Sequence, residues 1–119
     1  MSSIVHFELP ANDTARAKDF WSSFLGWKFR EPQGGFDYHM TDGLEPVAAI
    51  YPAQSGERGP IVYFAVEDID AALTQVGQLG GSAGEKQPIP SVGWFARCED
   101  TEGNSFSLFQ SDESVPGPG

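Results

Sequence analysis

The chain has 119 residues, with seven basic and seventeen acidic side chains and a formal net charge of −10. That length supports one domain's core but not two independent ones, and the acidic balance excludes a basic surface for nucleic acid or an anionic membrane. No segment approaches the roughly 20 apolar residues of a membrane span, and the lone cysteine, Cys98, excludes an intrachain disulfide and a thiolate zinc cluster.

Met1-Ser2-Ser3 leads straight into an alternating segment, with neither the basic head nor the long apolar run of a secretion signal. A reducing, cytoplasmic setting is therefore expected. Residues 4–9 place Phe7 and Leu9 on one face and His6 and Glu8 on the other, which predicts a strand with one side against a core. Asn12-Asp13-Thr14 supplies a helix cap, and Ala17, Phe20, Trp21 and Phe24 predict a buried stripe that stops at Gly26. A short strand is expected around residues 27–30. Two more follow, around residues 36–42 and 47–51, split by the Asp42-Gly43 turn.

The pattern then repeats. IVHFELPANDTARAKDFWSSFLG returns in degraded form as IVYFAVEDIDAALTQVGQLGG from Ile61, with Asp13 over Asp68 and Gly26 over Gly81, an offset of 55 residues. Ile69, Ala72, Leu73, Val76 and Leu79 form the second helical stripe, and a weak strand is expected around residues 82–85. Downstream the offset becomes 58: GGFDYHMTDG lies over VGWFARCEDT, pairing Phe36 with Trp94 and Asp42 with Asp100. An insertion of three residues accounts for the change. Each half thus reads β-α-β-β-β, in modules of about residues 4–52 and 60–110 within a single domain, with a loose tail over 111–119. The fold class expected is α+β: two modules forming a curved mixed half-barrel around a cavity, with helices on the outer face. Residues 85–93, holding Pro88 and Pro90, are a surface loop by default and a lid over the cavity as the alternative.

VHFELP leading into a helix that ends FLGW, with EDTEGNSFSLFQ at the close, resembles the vicinal oxygen chelate superfamily of glyoxalase I, bleomycin resistance proteins and extradiol dioxygenases. The resemblance covers residues 4–110. It implies, in metal-dependent members, a divalent ion held by one ligand from the first and one from the last strand of each module. Carried over, those positions are His6, Ala49, Ile61 and Ser107, of which His6 alone is a good donor. Sliding two residues along the strands brings Glu8 and Tyr63 forward instead. His39 would be the further donor needed for a site of two histidines and a carboxylate.

His6 is the leading catalytic and binding candidate, since an imidazole on an otherwise apolar strand can exchange protons near neutral pH; the alternative is a histidine satisfied by its neighbours. Glu8 shares its face, but residues i and i+2 on a strand stand roughly 6.5–7 Å apart, so a direct couple would need a water. Tyr63 offers a hydroxyl and a ring from the second module, or simply fills the cavity wall. Ser105 and Ser107 alternate with Phe106 and Leu108 and would line the cavity as polar groups. Trp94, with Phe36, Tyr38 and Met40, would make an aromatic face for a flat or cationic molecule, although core or dimer contact is the commoner fate of such a tryptophan. Trp21 and Trp27 are assigned to the core.

These readings favour a metal-free protein that holds a small organic molecule, cationic by charge matching, through His6, Glu8, Tyr38, Tyr63, Trp94 and Ser107. No cofactor is expected. The alternatives are a lyase, isomerase or dioxygenase that uses a divalent metal at His6, and a metal-independent enzyme with His6 as acid and base. The family resemblance further implies a homodimer.

Overall fold

The computed structural model describes residues 3–32 and 34–117. These contain two helices and nine strands in the α+β arrangement expected, divided between two compact units, Val5–Ile61 and Val62–Gly119, the latter together with Met1–Ile4.

In the first unit the order is β1 (Ile4–Ala11), α1 (Thr14–Leu25), β2 (Lys28–Phe29), β3 (His39–Asp42) and β4 (Val47–Pro52). The strands lie side by side as β2-β3-β4-β1, with β1 parallel to β4 and the other pairings antiparallel. The Asp13 carboxylate accepts the Arg16 amide at 3.0 Å and so caps α1, satisfying an amide that the helix itself cannot. Gly26 takes a left-handed conformation (φ 71°) and donates to the Ser22 carbonyl, closing the helix as its sequence position predicts. Trp21 stacks on Trp27 at 4.8 Å between ring centroids, and Trp27 meets Phe7 of β1 and Phe29 of β2 edge-on. The expected apolar stripe of α1 is only half buried: Ala17 and Trp21 are partly covered, whereas Phe20 and Phe24 are 57% and 67% exposed.

In the second unit the order is β5 (Ile61–Ala65), α2 (Ile69–Gln78), β6 (Ser82–Ala83), β7 (Gln87–Ile89), β8 (Gly93–Glu99) and β9 (Ser105–Ser111), arranged β5-β9-β8-β6 with β7 also on β8. Asp68 caps α2 through the Ala71 amide, and the Gln110 side chain of β9 accepts the Ile69 amide, tying the helix start to the last strand. Ile69, Ala96, Cys98 and Leu108 form a buried cluster with Phe64, Leu73, Val76 and Phe106 packed around it. Each large aliphatic side chain buried there contributes about 1.5–3 kcal/mol of transfer free energy. Gly93 has no substitute in this packing, because a β-carbon would collide with the Gln110 carbonyl oxygen on the neighbouring strand.

Three sequence expectations change here. Residues 85–93 are no open loop, because β7 pairs with β8 and the Val92 amide closes a turn onto the Ile89 carbonyl. The tail is held well past residue 111: Asp112 donates its amide to the Val92 carbonyl, Ser91 donates to the Val115 carbonyl, and Val115 is buried. Residues 118 and 119 lie outside the described residues. The third change is one of register. Met40 pairs with Ala49 in the first hairpin, while Arg97 pairs with Ser107 in the second. Met40 therefore corresponds to Arg97 at an offset of 57, and the expected three-residue insertion is split between two places.

Candidate functional site

Strand alternation sorts each sheet into a helix-facing and an opposite face. Phe7 reaches Trp27 on the α1 side, so His6 and Glu8 project from the other face, as expected. Tyr38 sits immediately before β3 and joins them there. Its hydroxyl donates to Glu8 Oε2 at 2.6 Å and lies 2.9 Å from His6 Nε2. Tyrosine has one hydroxyl proton, and with that proton on Glu8 the oxygen accepts from His6, which assigns the Nε2–H form to the imidazole. The direct His6 Nε2 to Glu8 Oε2 separation is 3.7 Å. The sequence reading placed a water between these two residues; in the structure a phenol bridges them.

Glu8 is only 7% exposed and His6 is largely buried. A carboxylate that deep needs hydrogen-bond donors to offset its desolvation, and Tyr38 supplies a short one. Tyr51 of β4, beside Pro10 of β1, extends the same face: its ring centroid is 6.2 Å from that of Tyr38, and its hydroxyl donates to Glu57 at 2.6 Å. Glu57 also receives the Gln54 amide, so the segment after β4 is folded onto the tyrosine.

His39 cannot serve as a further donor at His6. It pairs with Ile50, itself opposite Leu9, and therefore lies on the α1 side. There it joins Asp37 through Nε2 and Lys18 of α1 through Nδ1, while Thr14 donates to Asp37. The His39 and Thr14 hydrogen bonds hold the Asp37 carboxyl below its usual range. Ala49, the next position that the family pattern would use for a metal, stands beside Glu8 with nothing but a methyl group. Among the described residues, no three His, Cys, Asp or Glu side chains come together in a way that could hold a metal ion. His6 and Glu8 are thus fewer than the three or four protein ligands of a zinc-type site.

In the second unit Tyr63 pairs with Ser107, and Ser107 with Arg97, on the face opposite α2. Arg97 Nε donates to the Ser107 hydroxyl at 2.9 Å, and the Tyr63 ring lies 6.4 Å from Phe95. Arg97 and Tyr51 escaped the sequence reading. With the offset of 57 in place of 58, Arg97 falls opposite Ser107 and Phe95 falls at the position of Tyr38; alternation along β4, two residues on from Ala49, puts Tyr51 on the face of Glu8. Trp94 goes the other way. It packs against the buried α2 cluster, carries Lys86 at 4.5 Å over its ring, and donates to Asp112. The one-residue shift had placed it with Tyr38; in the structure it is a core residue, and Phe36 is an exposed ring.

A family model described as a glyoxalase-like domain matches residues 5–109. A glyoxylase-like domain-containing protein of Didymella fabae is 29% identical over 114 residues, covering 85% of this chain and 88% of that protein. Among solved structures, a glyoxalase/bleomycin resistance protein/dioxygenase superfamily member from Vibrio splendidus superposes with a TM-score of 0.67 at 15% identity, covering 93% of this chain and all of that one. The methylmalonyl-CoA epimerase of Mycobacterium tuberculosis superposes with a TM-score of 0.62, also at 15% identity, covering 97% and 88%. Those two likenesses establish the fold.

Proposed function

Because the chain belongs to the glyoxalase-like domain family, we propose that it binds a small organic molecule, without a metal ion, on the first module's sheet face that carries His6, Glu8 and Tyr38. The observation behind this reading is the Tyr38 hydroxyl bridging His6 and Glu8. In place of further metal donors, the retained histidine has a phenol and a carboxylate as partners. Such a face offers a ligand an imidazole, a carboxyl oxygen and the edge or face of two tyrosine rings. The net charge of −10 favours a cationic guest over an anionic one. In the second module the face carrying Tyr63, Ser107 and Arg97 has the hydroxyl and guanidinium donors to orient polar groups of a ligand. Among the described residues no helix is long and apolar enough to cross a membrane. A reducing setting is part of this proposal, on the ground that the one cysteine is buried as a free thiol.

A second reading, proton transfer by His6, draws on the same chain of hydrogen bonds. With Nε2 directed at Tyr38, Nδ1 is the ring nitrogen that would give or take the proton in this reading. Native mass spectrometry of protein taken directly from cell extract, followed by titration with nickel, zinc and ferrous iron, tests the main reading. The expected result is a co-purifying organic molecule displaced in His6→Ala and Tyr38→Phe variants that remain folded. Stoichiometric metal held through His6 would overturn it.

A further inference from the structure

The chain has three lysines, and each keeps different company. Lys28 is exposed to solvent, and Lys86 is held by the Asp70 carboxylate at 3.1 Å while it covers the Trp94 ring. Lys18 instead meets a base: its Nζ lies 3.3 Å from Nδ1 of His39. The other nitrogen of that ring, Nε2, is bonded to the Asp37 carboxylate, which also accepts the Thr14 hydroxyl at 2.9 Å. We propose that Lys18 is a nucleophilic amine that accepts acyl groups from thioesters, with His39 as its base and Asp37 as the group that holds the base in place.

The placement follows from two elements of the first unit. Thr14 and Lys18 stand four residues apart on α1, the spacing that sets side chains on one helical face. His39 opens β3 on the side of the sheet that faces α1, where it is only 9% exposed. Hydrogen bonds from His39 and Thr14 hold the Asp37 carboxyl below its usual range, so it is ionised and purely an acceptor near neutral pH. That fixes the imidazole proton on Nε2 and leaves the lone pair of Nδ1 facing Lys18. A nucleophile, a base within reach of its proton and a third group orienting the base are the parts that such activation needs. All of them lie on the face opposite His6 and Glu8, so the proposal stands apart from ligand binding there.

An ammonium has no lone pair with which to attack a carbonyl. Transfer of one proton from Nζ to Nδ1 frees the amine, and the imidazolium so formed is paired with Asp37 through Nε2–H. The amine lone pair forms a C–N bond to the thioester carbonyl carbon, and the C–S bond breaks with its electron pair on sulfur. Of the two protons lost from nitrogen, the first passes through His39 to water and the second neutralises the thiolate, so amide and thiol are the products and no further reactant is needed. A thioester suits the site because its thiolate leaves without an acid. An uncharged one also escapes the repulsion that a chain of net charge −10 exerts on an acyl phosphate.

Peptide mass spectrometry of the full chain incubated near neutral pH with the acetyl thioester of N-acetylcysteamine tests the proposal, with Lys28 in the same sample as the reference. Lys18 should be acetylated at least about tenfold faster than Lys28, whereas exposure alone gives the reverse order, since Lys18 is partly covered. His39→Gln should abolish that advantage, and Asp37→Asn should reduce it at least about threefold; neither should change the rate at Lys28 or the circular dichroism spectrum. Asp37 is exposed, so its variant decides the matter if the one at buried His39 does not fold. A Lys18 rate no greater than that of Lys28, an advantage that survives Asp37→Asn, or acetylation of Lys18 by acetyl phosphate and not by the thioester would overturn the proposal.

Discussion

Replacing Tyr38 with phenylalanine removes a single oxygen from the most distinctive arrangement in the molecule. That oxygen gives a 2.6 Å hydrogen bond to Glu8, a carboxylate only 7% exposed, and is 2.9 Å from His6 Nε2. A hydrogen bond to a charged group contributes about 1.5–3 kcal/mol and a neutral one about 0.5–1.5 kcal/mol. Part of the loss is recovered when His6, already 3.7 Å from Glu8, closes on the carboxylate. The expected net destabilisation is about 2 kcal/mol, roughly 30-fold in the folding equilibrium and about 6–10 °C in Tm for a chain of this size. Urea unfolding followed by tryptophan fluorescence reads it as a lower midpoint at constant slope. A double-mutant cycle with Glu8→Gln should return a coupling of about 1 kcal/mol. A loss under about 0.5 kcal/mol, or a cycle that closes additively, would show that the phenol does not sustain the buried carboxylate and would remove the physical basis of the site.

The remaining predictions concern the fold. Asp37, Asp100 and Asp112 are all held below the ordinary carboxylate range by hydrogen bonds, led by His39, Asn104 and Ser114 respectively. A carboxyl with a depressed folded value stabilises the fold above its unfolded value near 3.8 and loses that contribution as the pH falls through the folded one. The urea midpoint should therefore fall as the pH is lowered from about 5 through 3.8 and on below it, and Asp100→Asn should flatten that dependence. Burial pushes the Cys98 thiol up, so a disulfide reagent should label it in urea but not in the native protein at pH 8. Gly93→Ala should cost more than about 3 kcal/mol, because backbone would have to move; its measurement is the same urea titration.

Much of the fold was legible because it rests on local signals. Asp13 and Asp68 behave as the helix caps that their positions suggest, Gly26 closes α1, and alternation in β1 sends His6 and Glu8 to one face. The site was legible only in part. His6, Glu8, Tyr63 and Ser107 sit on strands whose faces period two decides. Tyr38 was assigned to the right face, but its hydroxyl bridge depends on a contact 30 residues away in sequence, which periodicity does not encode. Trp94 falls on the wrong face and Arg97 goes unnoticed because the offset read from GGFDYHMTDG over VGWFARCEDT is one residue too long for these strands. In a strand, one residue is the difference between core and opposite face. Phe20 and Phe24 follow a buried-helix pattern yet remain in solvent.

The two hairpins differ by a single residue, and that residue is taken up at the tip, between Asp42 and Val47 in one case and Glu99 and Ser105 in the other. Had it lodged inside a strand, Leu108 would have taken the place of Ser107 and the interior would have been turned outward. Length can therefore drift in such a duplicated chain only where it is harmless, and the chemistry of either wall must diversify by replacement, one side chain at a time, on a lattice that insertion cannot touch.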